Sequence, residues 1–135
     1  MAGRGRHGAR RLLLQALYQN QIARHSAEEL VDQFSTSHGF SNVDGDYFLA
    51  MLTEILNDTG VLDGLIAAAA DRPVEQLDPV ERSVLWIGLT ELKLNCDVPT
   101  KVVIDEAVEL TKEFGAQDSY RYVNAILDAA AAELR

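Results

Sequence analysis

Apolar residues recur at spacings of three and four along most of the chain, a pattern that predicts amphipathic helices. The clearest helix follows Pro99 and Thr100, with one apolar face and one charged face. We predict that Gly115 ends it in the left-handed conformation, which glycine adopts cheaply. Asp118 or Ser119 is expected to cap the next helix. The buried face of that last helix is predicted to comprise Val123, Ile126, Leu127, Ala130 and Leu134.

Five earlier helices follow from the same periodicity. Two of them start with capping boxes, Ser26 with Glu29 and Asp78 with Glu81, and Pro79 stands at the first helical position of the second box. No segment reads convincingly as a strand, so the chain is predicted to be all-α with about seven helices. The five helices are placed at about residues 9–24, 26–34, 44–56, 61–69 and 79–95.

Two positions inside the fifth helix depart from its pattern. Gly88 costs about 1 kcal/mol relative to alanine within a helix, so we expect it to mark close packing. Trp86 faces away from the apolar stripe of the helix. We expect this side chain either to pack on the other half of the molecule or to stay partly exposed.

The length of 135 residues suits one domain with a proper hydrophobic core. Within that domain we predict a mobile arm over residues 1–8 and two packed three-helix bundles, over about 9–72 and 73–135. The single cysteine, Cys96, cannot form an internal disulfide, and neither a membrane-spanning run nor a signal peptide is recognisable. These features favour a cytoplasmic protein with no membrane contact.

The net charge of −9 is unevenly distributed. Residues 1–27 contain five arginines and no acidic residue, while the rest of the chain carries a charge of −14. An acidic body with a basic arm favours a local contact with a polyanion, and the alternative is a solvated tail. The arm also spells G-x-G-x-x-G, but a dinucleotide site needs a preceding strand, so we reject that interpretation.

The sequence has no recognisable arrangement of catalytic or metal-binding residues. The three histidines are scattered, one cysteine cannot build a zinc site, and neither a phosphate-binding loop nor a nucleophile elbow occurs. The four acids between Asp105 and Glu113 are more typical of the solvated face of an amphipathic helix than of paired catalytic carboxylates. We therefore expect a binding protein without an enzymatic activity, a metal or a cofactor.

Several short sequence motifs, called words here, occur along the chain in a specific order and spacing. They are Ala16-Leu17-Tyr18, Val80-Glu81-Arg82-x-Val84-Leu85, Val98-Pro99-x-Lys101-Val102, Asp105-Glu106-Ala107-Val108-Glu109-Leu110, Phe114-Gly115-Ala116, Asp118-Ser119 and Val123-Asn124. Each word alone is weak, but together they resemble the NusB family of bacterial transcription antitermination factors over nearly the whole chain. The resemblance implies an all-α fold of two three-helix bundles set across each other.

The resemblance also implies a function and a set of RNA contacts. Proteins of this family bind boxA, a short single-stranded RNA element of nascent ribosomal transcripts, as a heterodimer with the ribosomal protein NusE. The pair joins other Nus factors on RNA polymerase. Arginines are expected to neutralise phosphates and Tyr122 to stack on a base, although this tyrosine could instead pack at the rim of a neighbouring helix. The expected RNA contacts are Arg4, Arg6, Arg10, Arg11, Arg121, Tyr122 and Asn124.

An acidic face is expected to meet NusE, which is basic. By resemblance, the expected partner contacts are Tyr18, Glu75, Glu81 and Asp118. Two of these residues have structural alternatives, because Glu81 can close a capping box and Tyr18 can be a core residue.

Two departures from the family pattern and one other function remain open. The arm is richer in glycine than that of many relatives and lacks lysine, and Trp86 stands where a basic residue is frequent. The other function is that of a homodimeric structural or ribosome-biogenesis protein with incidental RNA binding. NusB-like domains also precede RNA methyltransferase domains, but 135 residues leave no room for one.

Overall fold

The structure, a computed structural model, describes residues 2–37, 39–71 and 73–135, with the backbone alone for residues 2–4. Its regular elements within those ranges are all helical, so the predicted all-α class is confirmed. Short 3₁₀ turns lie at Phe40–Asn42 and Val74–Gln76. The seven α-helices of the described residues are α1 (Ala2–Ala23), α2 (Ala27–Ser35), α3 (Gly45–Asn57), α4 (Thr59–Ala69), α5 (Pro79–Leu94), α6 (Thr100–Phe114) and α7 (Ser119–Leu134).

The helices fall into two compact units, and the first, Met1–Asn57, holds α1, α2 and α3. Helix α1 packs against both of the others. Three aromatic rings meet around Phe48, whose ring centroid lies 5.8 Å from that of Phe34 and 5.8 Å from that of Phe40. The predicted stripe of α1 is confirmed for its apolar members, because Ala9, Leu13, Ala16 and Leu17 are fully buried.

Helix α1 begins several residues earlier than predicted. The segment expected to be a mobile arm forms its first turns, and the Gly5 carbonyl accepts a hydrogen bond from the Asp44 backbone N–H at 2.9 Å. A Cβ on Gly8 would come within 2.7 Å of a Val43 methyl. The glycines therefore allow the segment before α3 to lie directly against α1, a contact that hydrophobic periodicity does not reveal.

The second unit, Asp58–Arg135, holds α4, α5, α6 and α7. Helix α5 is its centre and packs against the other three. Gly88 marks a close approach of α5 to α7, as predicted, because a Cβ there would lie 2.9 Å from both terminal methyls of Leu127. The Arg135 guanidinium donates to backbone carbonyls at the end of α5 and in the following loop, including those of Leu92 and Val98.

The division between the units lies at residues 57 and 58, whereas the sequence placed it near residue 72. Helix α4 packs with α5 because Asp63 accepts hydrogen bonds from the Arg82 guanidinium and, at 2.9 Å, from the Trp86 indole. Trp86 is only 2% exposed. This indole is thus held inside the second unit by a polar partner on α4, and the expectation of partial exposure is wrong.

Helix ends confirm some of the predicted caps and correct others. The capping boxes of α2 and α5 are both formed. Gly115 follows α6 with φ −93° and ψ 177°, which is extended backbone and not left-handed. Glycine is needed there for space, because a Cβ would lie 2.8 Å from the Thr111 carbonyl oxygen. Asp118 precedes α7 with φ 70° but makes no side-chain cap.

No α-helix among the described residues combines the length and the apolar character needed to cross a membrane.

Candidate nucleic-acid interface

Arg6 is anchored to the start of α3 by two contacts. Its guanidinium nitrogen lies 3.9 Å from a carboxylate oxygen of Asp44, and its guanidinium carbon lies 4.6 Å from the centroid of the Tyr47 ring. The side chain remains 35% exposed. An arginine held in this way keeps a defined position on the surface while retaining access to solvent.

Arg10 follows Arg6 by one helical turn and points to the same ring, with 5.6 Å between its guanidinium carbon and the Tyr47 centroid. It is only 4% exposed, so little of this side chain is accessible to a phosphate, and its RNA contact stays a prediction. Helical periodicity turns it toward α3, while the next residue, Arg11, is exposed. The side chain of Arg4, a further predicted contact, lies outside the described residues.

The first turn of α7 carries the predicted residues Arg121 and Tyr122. Arg121 is exposed and donates to the Tyr120 hydroxyl at 3.4 Å, and its Nε lies 3.8 Å from Asp118. The hydrogen bond to Tyr120 and, less strongly, the nearby Asp118 charge raise the pKa of the Arg121 guanidinium, which stays cationic. Tyr122 is partly exposed with its hydroxyl oxygen buried, a placement compatible with both base stacking and rim packing.

Asn124 is exposed, but it lies on a different side of α7 from Tyr122, because two residues correspond to about 200° of helical rotation. It lines a shallow pocket between α6 and α7 with Lys101, Asp105 and Asp128. Lys101 is paired with Asp105 at 2.9 Å. The surroundings of Asn124 are acidic overall, and Asn124 and Tyr122 do not form one site.

Tyr120 is a candidate that sequence reasoning missed. The Lys112 ammonium nitrogen lies 4.7 Å from its ring centroid and the Arg121 guanidinium carbon lies 5.8 Å from it. Lys112 belongs to the last turn of α6 and Tyr120 to the first turn of α7, and the short connection brings them together. The usable signal in the sequence was the basic residue just before a helix stop and the aromatic just after it.

The four expected partner contacts have different surroundings. Tyr18 is 42% exposed on α1, so the alternative of a buried core residue is wrong. Glu75 is exposed in the turn before α5. Glu81 is 6% exposed, and its carboxylate accepts from the Asp78 backbone N–H at 3.3 Å, which confirms its structural role in the capping box. Asp118 is exposed beside Arg121.

The described residues contain no group of three or more histidine, cysteine, aspartate and glutamate side chains placed to hold a metal ion.

Comparison with known proteins places this arrangement in a family. A model of the NusB family matches residues 7–132, nearly the whole chain. The chain belongs to the NusB family. It is 44% identical over 135 residues to the transcription antitermination protein NusB of Coxiella burnetii, covering all of this chain and 98% of that protein. It is 45% identical over 130 residues to the NusB protein of Alcanivorax borkumensis, covering 96% and 87% of the two chains.

A solved structure of a NusB-family protein has the same fold. NusB from T. maritima superposes with a TM-score of 0.83 at 27% identity, covering 94% of this chain and 90% of that one. The resemblance inferred from short sequence words is therefore confirmed, and the chain is a member of a transcription antitermination family.

Proposed function

We propose that this NusB-family protein binds boxA-type single-stranded RNA in nascent ribosomal transcripts together with the ribosomal protein NusE, within an antitermination complex of Nus factors on RNA polymerase. The observation that carries the proposal is the start of α7, where the partly exposed Tyr122 directly follows the exposed Arg121 in the sequence of a member of this family. Such a role on nascent bacterial RNA would place the protein in the cytoplasm.

A partly exposed ring and surface cations suit single-stranded RNA for physical reasons. Unpaired bases stack on aromatic side chains, and arginines neutralise phosphates in a salt-dependent manner. On the first unit, Arg6 and Arg11 supply accessible positive charge, whereas the buried Arg10 is better suited to holding Tyr47 in place.

The residues proposed for contact with NusE are Tyr18 in the first unit and, in the second unit, Glu75 and Asp118, which have exposed carboxylates. Exposed acidic side chains suit a basic partner because they attract it over several ångströms before contact. Glu81 is also proposed for this contact. Its carboxylate already takes part in the capping box of α5, so only its small exposed part could meet NusE.

Binding of a short labelled boxA-type RNA, with and without NusE and across a salt series, tests the function. We expect Tyr122→Ala to weaken RNA binding by about 1–3 kcal/mol, because it removes the stacking ring. Arg11→Gln should reduce the salt slope by about one. Arg24→Gln is the matched control, since Arg24 is exposed directly after the far end of α1.

The folding of each variant is checked by its thermal unfolding midpoint. Unchanged RNA affinity in both folded variants would refute the assigned site. A wild-type protein that binds no boxA-type RNA, even with NusE, would refute the function. A homodimer that persists in the NusE complex would favour the alternative of a structural protein.

A further inference from the structure

We infer that Tyr120, Lys112 and Arg121 form a second contact for single-stranded RNA, in which a base stacks on the Tyr120 ring and the two cations neutralise an adjoining phosphate. This inference rests on the proposed function and adds a contact that is separate from Tyr122. We refer to these three residues as the Tyr120 cluster.

The geometry of the Tyr120 cluster places two cations around one ring. Lys112 Nζ lies 4.7 Å from the ring centroid, and the Arg121 guanidinium carbon lies 5.8 Å from it. Arg121 also donates to the phenol oxygen at 3.4 Å, which leaves the Tyr120 hydroxyl proton available for an acceptor. Positive charge and an aromatic face therefore share one small patch of surface.

The patch lies in a unit that is acidic overall. The sequence of Asp58–Arg135 contains 15 acidic and seven basic residues. Arg82, Lys93 and Lys101 each lie within 4.0 Å of a carboxylate. Lys112 forms no such ion pair with any described residue and rests on the tyrosine ring instead. The Lys112 side chain is exposed, so its charge is accessible to a phosphate.

The start of α7 reinforces the attraction for an anion. The positive end of a helix dipole favours negative charge near its first turn. Asp118 stands at the N-cap position without capping the helix, and its carboxylate lies 3.8 Å from Arg121. This carboxylate opposes RNA binding at the cluster, so its removal should strengthen the contact.

Single-stranded RNA is the ligand that matches these features together. A stacked base needs an unpaired nucleotide, and its phosphate needs cations beside the ring. An acidic peptide would satisfy the cations but would gain little from the ring. Tyr120 and Tyr122 lie on different sides of α7, about 200° apart, so they would contact different nucleotides.

Anisotropy of a short fluorescein-labelled boxA-type RNA, measured with the NusE-bound protein, tests the inference. We expect Tyr120→Ala to weaken binding about tenfold and Tyr120→Phe to retain most of the affinity, because phenylalanine keeps the stacking ring. Lys112→Gln should lower the salt slope by about one. Lys101→Gln, an exposed lysine on the same helix that is paired with Asp105, should leave the slope unchanged. Asp118→Asn, measured without NusE, should bind RNA more tightly.

The possible outcomes separate this inference from the proposed function. If Tyr122→Ala weakens binding and Tyr120→Ala does not, the Tyr120 cluster is refuted while the function stands. If the wild-type protein fails to bind RNA, both the proposed function and the Tyr120 cluster are refuted. If Tyr120→Ala unfolds, ultraviolet crosslinking of RNA to wild-type protein decides, and a crosslink map without Tyr120 or Lys112 overturns the inference. Weakened binding of NusE, with RNA affinity intact, also overturns it.

Discussion

In this protein, the role of a side chain depends more on the residues that it contacts than on its chemical type. Arg10 is a cation in an arginine-rich segment, yet it is buried against the Tyr47 ring. Trp86 stands where relatives are expected to have a basic residue, and Asp63 on α4 binds its indole. In both cases a contact with another helix decides the role, and neither contact has a local signal in the sequence.

Two glycines illustrate the same dependence and give a testable contrast. A Cβ on Gly115 would lie 2.8 Å from a backbone oxygen, whereas one on Gly64, within α4, would meet nothing within 4 Å. We expect Gly115→Ala to destabilise the protein by about 1–3 kcal/mol through this overlap. Gly64→Ala should stabilise it by up to about 1 kcal/mol through helix propensity. Thermal unfolding checks both, and equal shifts of the two midpoints would contradict the argument.

At the scale of the helices, local rules succeeded for most of the helix bounds and for both capping boxes, but not for the conformation of Gly115 or for a cap by Asp118. The bounds of α5 and α6 follow from periodicity and from Asp78–Pro79 and Pro99, and both capping boxes are formed as predicted. The start of α1 was missed because its first turns depend on the backbone contact between Gly5 and Asp44, which are distant in the sequence. Periodicity also cannot distinguish a side chain at the surface from one covered by a neighbouring helix.

The capping box of α2 makes a prediction about pH. The Ser26 backbone N–H, followed by its hydroxyl, holds the pKa of the Glu29 carboxyl below 4.5. A lowered folded-state pKa means that the box stabilises α2 at pH values above about 4.5 and loses this effect as the pH falls through the lowered value. A carbon-detected NMR titration should place the Glu29 midpoint below 4.5, and Ser26→Ala should raise it. A wild-type midpoint at or above 4.5 would contradict the box.

At the scale of the whole molecule, the two units differ in charge. The unit Met1–Asn57 contains five basic and six acidic residues, against seven and 15 in Asp58–Arg135. The predicted RNA contacts include arginines of the first unit and the start of α7 in the second. Both regions could be proposed from the sequence because arginine runs and aromatic residues are visible in it, and their contact with RNA stays a prediction. The division between the units lies elsewhere than predicted because α4 belongs to the second unit. Asp63 of α4 is hydrogen-bonded to Arg82 and Trp86 of α5, and this pairing is not visible in the sequence.

This network gives a prediction for the stability of the second unit. The chain contains one tryptophan, so its fluorescence reports only on Asp58–Arg135. Asp63→Ala would leave the buried Trp86 N–H without its acceptor and Arg82 without its carboxylate. Because Asp63 and Arg82 are 24% and 31% exposed, water would compensate part of the loss, and we expect a destabilisation of about 1–3 kcal/mol. The denaturant midpoint of Trp86 fluorescence should fall accordingly, while Glu109→Ala, which removes an exposed acid on α6, should shift it little. Equal midpoints for Asp63→Ala and the wild type would mean that apolar packing alone holds α4 to α5.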